Sequence, residues 1–293
     1  QIMKFGLVNR TQYSTAQKEI LDLITIVSDE DPENINYIED FPSSREHLEK
    51  YYPQVLSAQV FPELKYTYGQ RIFDFKGVNQ VAYIIDSLKE AGHTRRAVLC
   101  LWDPLRDEWN ADKKEWVKEN QPCLDLIQCR IQDNRLMMTV YIRSNDMFKA
   151  WPENAFALRQ LQQMIRQGVG GATKLGDLII ISHSAHIYEQ DWAKAQAILK
   201  KLGPQYLETS DFIIDPRGNF YITLENQKIL VRHYTPQGSL IQEFRSSDAV
   251  ELKKKIGPFV SRIDHAFYLG SELEKAARAL KQSEPYNQDK VKL

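Results

Sequence analysis

The chain has 293 residues, 43% hydrophobic and 26% charged, with a net charge of -1. That is room for one large domain or two small ones and a sizeable core, and the near-neutral balance argues against a chain-wide nucleic-acid footprint while leaving space for a local anion pocket. Three cysteines do not make a disulfide framework and favour a reducing, cytoplasmic setting. No segment reaches the roughly 18 apolar residues of a bilayer span, so no membrane is expected as a partner, and the near-neutral charge leaves DNA unexpected as well. The start, Gln1-Ile2-Met3-Lys4-Phe5, lacks the order of a signal peptide, and without a Met at position 1 the chain reads as trimmed or as part of a longer product.

In chain order, 28–53 is an acidic, Pro-containing connection with a short helix near 45–51. The first clear helix is 78–91, where Val81, Ile84, Ile85 and Leu88 fall at helical spacing and Gly92 supplies the stop. The apolar run 97–102 reads as a buried strand ended by Asp103-Pro104, and 124–130 with 136–143 as a hairpin around Gln132-Asp133-Asn134. Pro152 and Glu153 suit the first turn of a helix with an apolar stripe through Leu158, Leu161, Met164 and Ile165, ended by Gly168 and Gly170. A strand is expected at 178–182, and a helix at 192–202 stopped by Gly203-Pro204. Three strands follow at 220–224, 229–234 and 239–244, then helices at 247–256 and 265–281 and a polar, frayed tail. Strands and helices mix without a strict βαβ alternation, which predicts an α+β domain with a mixed sheet.

Several residues carry chemistry, each with a plainer alternative. Cys123 follows Pro122 at an element boundary, where a thiol is either a nucleophile or a small hydrophobe at a sheet edge. Cys100 and Cys129 lie inside predicted strands, and the three thiols are too scattered for a zinc site, so no metal is expected. Arg95 and Arg96 stand in a loop and suit a phosphate, or form a solvated pair at a helix end. Arg143 closes a strand beside Ser144, and Asp146 follows in what can be a simple turn. The amide of Asn154 matches the O4 and N3-H edge of uracil, or else caps a helix. His186 and Tyr188 alternate along an extended segment, so their rings share a face; His183 points the other way.

Together these stretches resemble the thymidylate synthase superfamily over roughly 64–280. Tyr68-Gly69-Gln70-Arg71 resembles its Tyr-Gly-x-x-x-Arg region in compressed form, and Thr94-Arg95-Arg96-Ala97 with Trp102-Asp103-Pro104 resembles its Ser-Arg-Arg…Trp-Asn-Pro element. Pro122-Cys123 is similar to Pro-Pro-Cys-His, Arg143-Ser144-x-Asp146 to Arg-Ser-x-Asp, Pro152-x-Asn154 to Pro-Phe-Asn, and His186-x-Tyr188 to His-x-Tyr. The tail with Leu269-Gly270-x-Glu272-Leu273-x-Lys275-Ala276 is more similar to archaeal members.

The resemblance implies one domain over 1–293, divergent over 1–60 and flexible over 281–293, that pairs through its sheet into a homodimer. It implies methylation of dUMP to dTMP with 5,10-methylenetetrahydrofolate or an archaeal tetrahydropterin analogue. Cys123 would add to C6 of the base. Arg143 and Ser144 would bind the phosphate, joined by Arg95 and Arg96 of the other subunit. His186 and Tyr188 would hold the deoxyribose hydroxyl, Asn154 would read the uracil edge, and Asp146 would orient base and pterin. Arginines around the phosphate would help depress the thiol pKa. Departures fall mostly on the cofactor and proton-transfer side. Leu124 stands for the His after the nucleophile, Ile142 for Gln, Asp103 for Asn, and Ser184-Ala185 for the residues usual before the His. Glu63 is a candidate general base by position, and the Trp that shields the methylene intermediate is not found. A pyrimidine nucleotide 5-hydroxymethylase on the same scaffold and a non-catalytic nucleotide- or RNA-binding relative therefore stay open.

Overall fold

The computed structural model describes residues 1–11, 14–110, 112–207 and 215–289. By its contacts the chain divides into two compact units, Gln1–Pro204 and Gln205–Leu293. The sequence predicts a single domain over 1–293; the apolar clusters fall on both sides of this boundary, two in the first unit and one in the second.

In chain order the first unit contains helix α1 (Ile2–Phe5), strands β1 (Leu7–Arg10) and β2 (Ala16–Val27), and helices α2 (Arg45–Leu56), α3 (Tyr68–Phe73) and α4 (Gln80–Glu90). Strand β3 (Val98–Cys100), the two-residue strands β4 (Trp109–Asn110) and β5 (Glu115–Trp116), and the long hairpin β6 (Leu124–Gln132) and β7 (Arg135–Asp146) follow. Helix α5 (Ala150–Val169) and strand β8 (Lys174–Tyr188) complete it, with helix α6 (Trp192–Leu207), which runs past the boundary at Pro204. Six strands form one sheet in the order β1-β2-β8-β7-β6-β3. Only β7 and β8 run parallel, so the sheet is mixed and the unit is α+β, as the sequence predicts.

Helices cover one face of this sheet. Leu158, Leu161 and Ile165 of α5 and Val81, Ile84 and Leu88 of α4 bury against Ile127, Leu136, Met138, Val140, Ile142, Leu178 and Ile180. Each such side chain is worth about 1.5–3 kcal/mol of burial. Gly168 does not end α5. It lies within the helix, where a Cβ would collide with Ile85 of α4, so the glycine sets the close approach of the two helices. Gly170, at φ +75°, is the stop.

The segment 1–27 carries no element in the sequence reading, yet β2 is a twelve-residue strand of the sheet. Asp22 (φ 55°) interrupts its alternation, and apolar residues occupy both faces, so the two-residue period is blurred. Helix α2 continues through Pro53, and α6 continues through Gly203-Pro204. A proline removes one helical hydrogen bond without compelling termination.

The second unit packs the antiparallel sheet β9 (Asn219–Glu225), β10 (Lys228–Tyr234) and β11 (Leu240–Ser246), ordered β11-β10-β9, on helices α7 (Ala249–Ile256) and α8 (Ile263–Gln282). Its core is Phe220, Ile222, Ile229, Val231, Leu252, Ile256, Leu269 and Leu273. The segment expected to be a flexible tail is tied down as far as it is described. The Tyr286 hydroxyl donates to Glu272 of α8 at 2.7 Å, and Gln288 bonds both Ile222 N (2.7 Å) and Phe220 O (3.1 Å). Residues 290–293 lie outside the described residues.

Candidate functional site

The loop leading to the site is fixed by a buried ion pair. Arg71 of α3 meets Asp107 in a fork, Nη1–Oδ2 2.5 Å and Nη2–Oδ1 2.7 Å, and donates again to Leu101 O at 2.6 Å. Asp107 Oδ2 also accepts from Asp103 N at 2.8 Å. A paired, multiply bonded charge can sit in the interior, and this one staples 101–107 to α3.

Residues 121–123 are clamped from two sides. Arg143 donates from Nε to Pro122 O (2.8 Å) and from Nη2 to Gln121 O (3.1 Å), while its backbone N bonds Cys123 O (2.9 Å). The Tyr66 hydroxyl also donates to Gln121 O at 3.2 Å, and the Arg143 guanidinium lies 5.6 Å from the centre of the Trp102 ring. Two of five guanidinium donors are used, which leaves three for a ligand.

Burial pushes the Cys123 thiol up, the Arg143 charge pulls it down, and Asp125 pushes it up again; the balance is above the usual thiol value. The sequence expectation of a depressed thiol is therefore reversed, because desolvation outweighs one guanidinium. Asp125 sits where the β6–β7 register shifts between Leu124 and Leu126. Its Oδ1 is buried without a partner. Burial drives its carboxyl up to about 6, with Arg143 opposing and Asp107 adding to the rise.

Three tyrosines stand in the electrostatic neighbourhood of Cys123. Burial raises the Tyr66 phenol to about 12 and lifts Tyr51 and Tyr68 above their ordinary value. They line a cleft of ≈ 390 Å³ with Gln54, Glu63 and Asn120, which is where the structure puts the Glu63 singled out from sequence. The Tyr51 hydroxyl donates to Asn154 Oδ1 at 2.6 Å. Asn154 is buried in the second turn of α5, so it does not cap the helix. Its neighbour Glu153 accepts from Ser43 Oγ and lies 3.1 Å from His47 Nε2.

Farther along β7, Ser144, Asn145 and Asp146 pair in register with Ser184, Ala185 and His186 of β8. Asp146 Oδ1 accepts from Phe148 N (2.9 Å) and Lys149 N (3.1 Å), so it shapes the turn into α5. His186 is buried, and burial lowers its pKa against the pull of Ser184 O, Asp146 and Glu19, favouring the neutral ring. His186 and Tyr188 do share a face, with centroids 4.9 Å apart in an edge-on pair.

Arg95 and Arg96 are exposed and are not brought to this group. Gln128 bonds Arg95 O, and Ala97 O accepts from Cys129 N, six residues along from Cys123 on the strand side. At the rise of an extended chain that is about 20 Å. Arg96 pairs weakly with Glu90 at 3.6 Å. Cys129 is fully buried, its thiol raised to about 12, which suits an inert core residue; Cys100 is exposed. Among the described residues no group of His, Cys, Asp and Glu is arranged to hold a metal, and no helix is long and apolar enough to cross a membrane.

The sequence reading missed Tyr51, Tyr66, Asp125 and the Arg71–Asp107 pair as parts of one site. The alternation Tyr66-x-Tyr68 beside Arg71 was the available signal, since it places two phenols on one side of an extended segment.

Comparison with known proteins gives a consistent picture. The family model described as Thymidylate synthase matches residues 17–245, starting well before the stretch from which the resemblance was read, and a second, PterinBD-DUF4346, matches 214–289. A protein named "Putative thymidylate synthase" from Methanosarcina barkeri is 33% identical over 201 residues, 68% of this chain and 87% of the relative. Proteins of the same name from Methanothermobacter thermautotrophicus and Methanocaldococcus jannaschii are 36% identical over 167 residues (57% and 70%) and 34% over 197 residues (64% and 83%). The chain belongs to the thymidylate synthase family.

Proposed function

We propose that the chain catalyses reductive methylation of dUMP to dTMP, with Cys123 adding covalently to C6 of the base. The observation that carries this reading is the clamp on 121–123, in which Arg143 binds both carbonyls preceding Cys123 and so holds a cation and a thiol side by side. Addition of Sγ at C6 moves the electron pair toward C5 and O4, which makes C5 nucleophilic. The free guanidinium donors of Arg143 and the Ser144 hydroxyl bind the phosphate. His186 and Tyr188 hold the deoxyribose hydroxyl, Asn154 reads the uracil edge, and Asp146 orients base and pterin.

The tyrosine-lined cleft suits a planar, donor-rich heterocycle: Tyr66 and Tyr68 offer ring faces and Glu63 a carboxylate. Those residues would hold a methylene-tetrahydropterin, which when bound supplies the one-carbon unit and the hydride. The match to 214–289 carries a pterin in its name; it falls outside this cleft and supports the class of carrier, folate or an archaeal analogue, rather than the cleft.

The exposed apolar residues of β2 support a homodimer. Ile24 and Ile26 of β2 are 58% and 61% exposed and pair with Ile181 and Ile179, which lie beside Tyr141 and Thr139. An apolar sheet face of this kind invites a self-complementary partner. In such a dimer Arg95 and Arg96 serve the partner's phosphate site.

The test is nucleotide mass after incubation with dUMP and the methylene carrier, folate and archaeal in parallel. A gain of one methylene with oxidised carrier supports the synthase. A gain of one hydroxymethyl without oxidation replaces it with the hydroxymethylase, and no gain with either carrier overturns both. Cys123→Ser should abolish turnover, by about a thousandfold or more, while dUMP binding persists.

A further inference from the structure

We propose that Tyr51 sets the base selectivity of this site by fixing which way round the Asn154 amide points. The inference rests on the nucleotide reading given above and adds a residue to it. Tyr51 lies in α2, 103 positions from Asn154, and its hydroxyl donates to Asn154 Oδ1 at 2.6 Å. Among the described residues that is the hydrogen bond of the Asn154 side chain, and Nδ2 is left for something else. Asn154 is 4% exposed, so its amide does not average over orientations in water.

An Asn amide is nearly symmetric in shape, and only its hydrogen bonds distinguish oxygen from nitrogen. With Oδ1 toward Tyr51, Nδ2 is presented as a donor and the second lone pair of Oδ1 remains as an acceptor. That pair matches the O4 acceptor and N3-H donor of uracil. Cytosine has an amino donor and a bare N3 in those places, so it requires the flipped amide. Flipping puts Nδ2 against the phenol, whose oxygen can accept from it, but the phenolic proton then loses its acceptor, and that unpaired donor is the cost of the flip. Burial, with the Glu153 charge adding, keeps Tyr51 a phenol rather than a phenolate, so the donor is present throughout the working pH range. Tyr51 touches the amide rather than the base and is a positioning residue.

The experiment measures binding of dUMP and dCMP to the full chain by titration calorimetry, for the wild type, Tyr51→Phe, Asn154→Ala and the double variant. Tyr51→Phe keeps the ring and its packing. The expected result is a wild type that prefers dUMP, and a dUMP-to-dCMP affinity ratio that falls roughly three- to tenfold in Tyr51→Phe. The same change on the Asn154→Ala background should leave the ratio unmoved. A general loss of packing would weaken both nucleotides alike. A ratio unchanged by Tyr51→Phe, or changed equally without Asn154, overturns the lock while leaving the nucleotide reading intact. A wild type that binds neither nucleotide overturns the nucleotide reading and the lock with it.

Discussion

Asp215 in the second unit and Asp125 in the first are carboxylates of opposite fate. Asp215 is 2% exposed and saturated: it accepts from Ser261 Oγ, from His265 Nδ1 at 2.9 Å, and from the backbone of Arg217, Ser261 and Arg262 at 3.0, 3.0 and 3.3 Å. Burial alone would raise it, but these donors outweigh burial and hold it well below the usual carboxylate range. Asp125 has a buried oxygen with no donor, and its carboxyl climbs to about 6. Both are acidic residues next to a basic one. The difference is whether the fold completes the hydrogen bonds, and it separates a structural hub from a group left poised beside Cys123.

The largest expected effect is at the hub. Asp215→Asn removes the charge that five donors converge on and should destabilise the second unit by about 3 kcal/mol, read by urea unfolding. The pH dependence has a definite sign. A carboxyl depressed by folding contributes stability above its unfolded value near 4, and loses it as pH falls below that value. An acid-unfolding curve of the second unit that does not change on Asp215→Asn would mean that these donors do not hold the carboxyl down.

At the poised group the sign is opposite. Between roughly pH 4 and 6 native Asp125 keeps a proton that the unfolded chain has released, so stability falls as pH rises through that window. Asp125→Asn should therefore stabilise the protein at pH 8 and not at pH 4, by about 1 kcal/mol or less, since the residue is only partly buried. It should also lower the pH midpoint of Cys123 alkylation, because the Asp125 charge is one of the causes that raise the thiol. An alkylation midpoint that stays put would show that the two groups are not coupled.

The sequence displays what is local. The 124–143 hairpin, the helical stripes and the stop at Gly170 are all periodicity and turn chemistry, and they stand where expected. Cys123 and Arg143 were visible as residues, and their contact follows from the hairpin register. What was hidden is long-range. Asn154 gains its partner from 103 residues away, Asp107 from 36, and β2 enters the sheet against β8, more than 150 positions downstream. The raised thiol was missed for the same reason: counting arginines registers charge but not desolvation, and desolvation is set by packing.

A third buried carboxylate sharpens the contrast at smaller scale. Glu272 is 2% exposed on α8 and has two side-chain donors, Lys275 Nζ at 2.6 Å and the Tyr286 hydroxyl at 2.7 Å, with the Asp289 backbone N–H adding to them. Burial would raise it, yet these donors more than compensate and its pKa is lowered. It is a smaller version of the Asp215 arrangement, and one side-chain donor comes from the segment that composition marks as frayed. Tyr286→Phe keeps the ring and deletes that donor alone. The expected cost is about 1 kcal/mol, with faster amide exchange confined to 284–289 and to the edge strand β9, where Gln288 bonds Ile222 and Phe220. Exchange in 284–289 already as fast as in a free peptide would mean that this segment does not complete Glu272, and that Lys275 alone holds the carboxylate down.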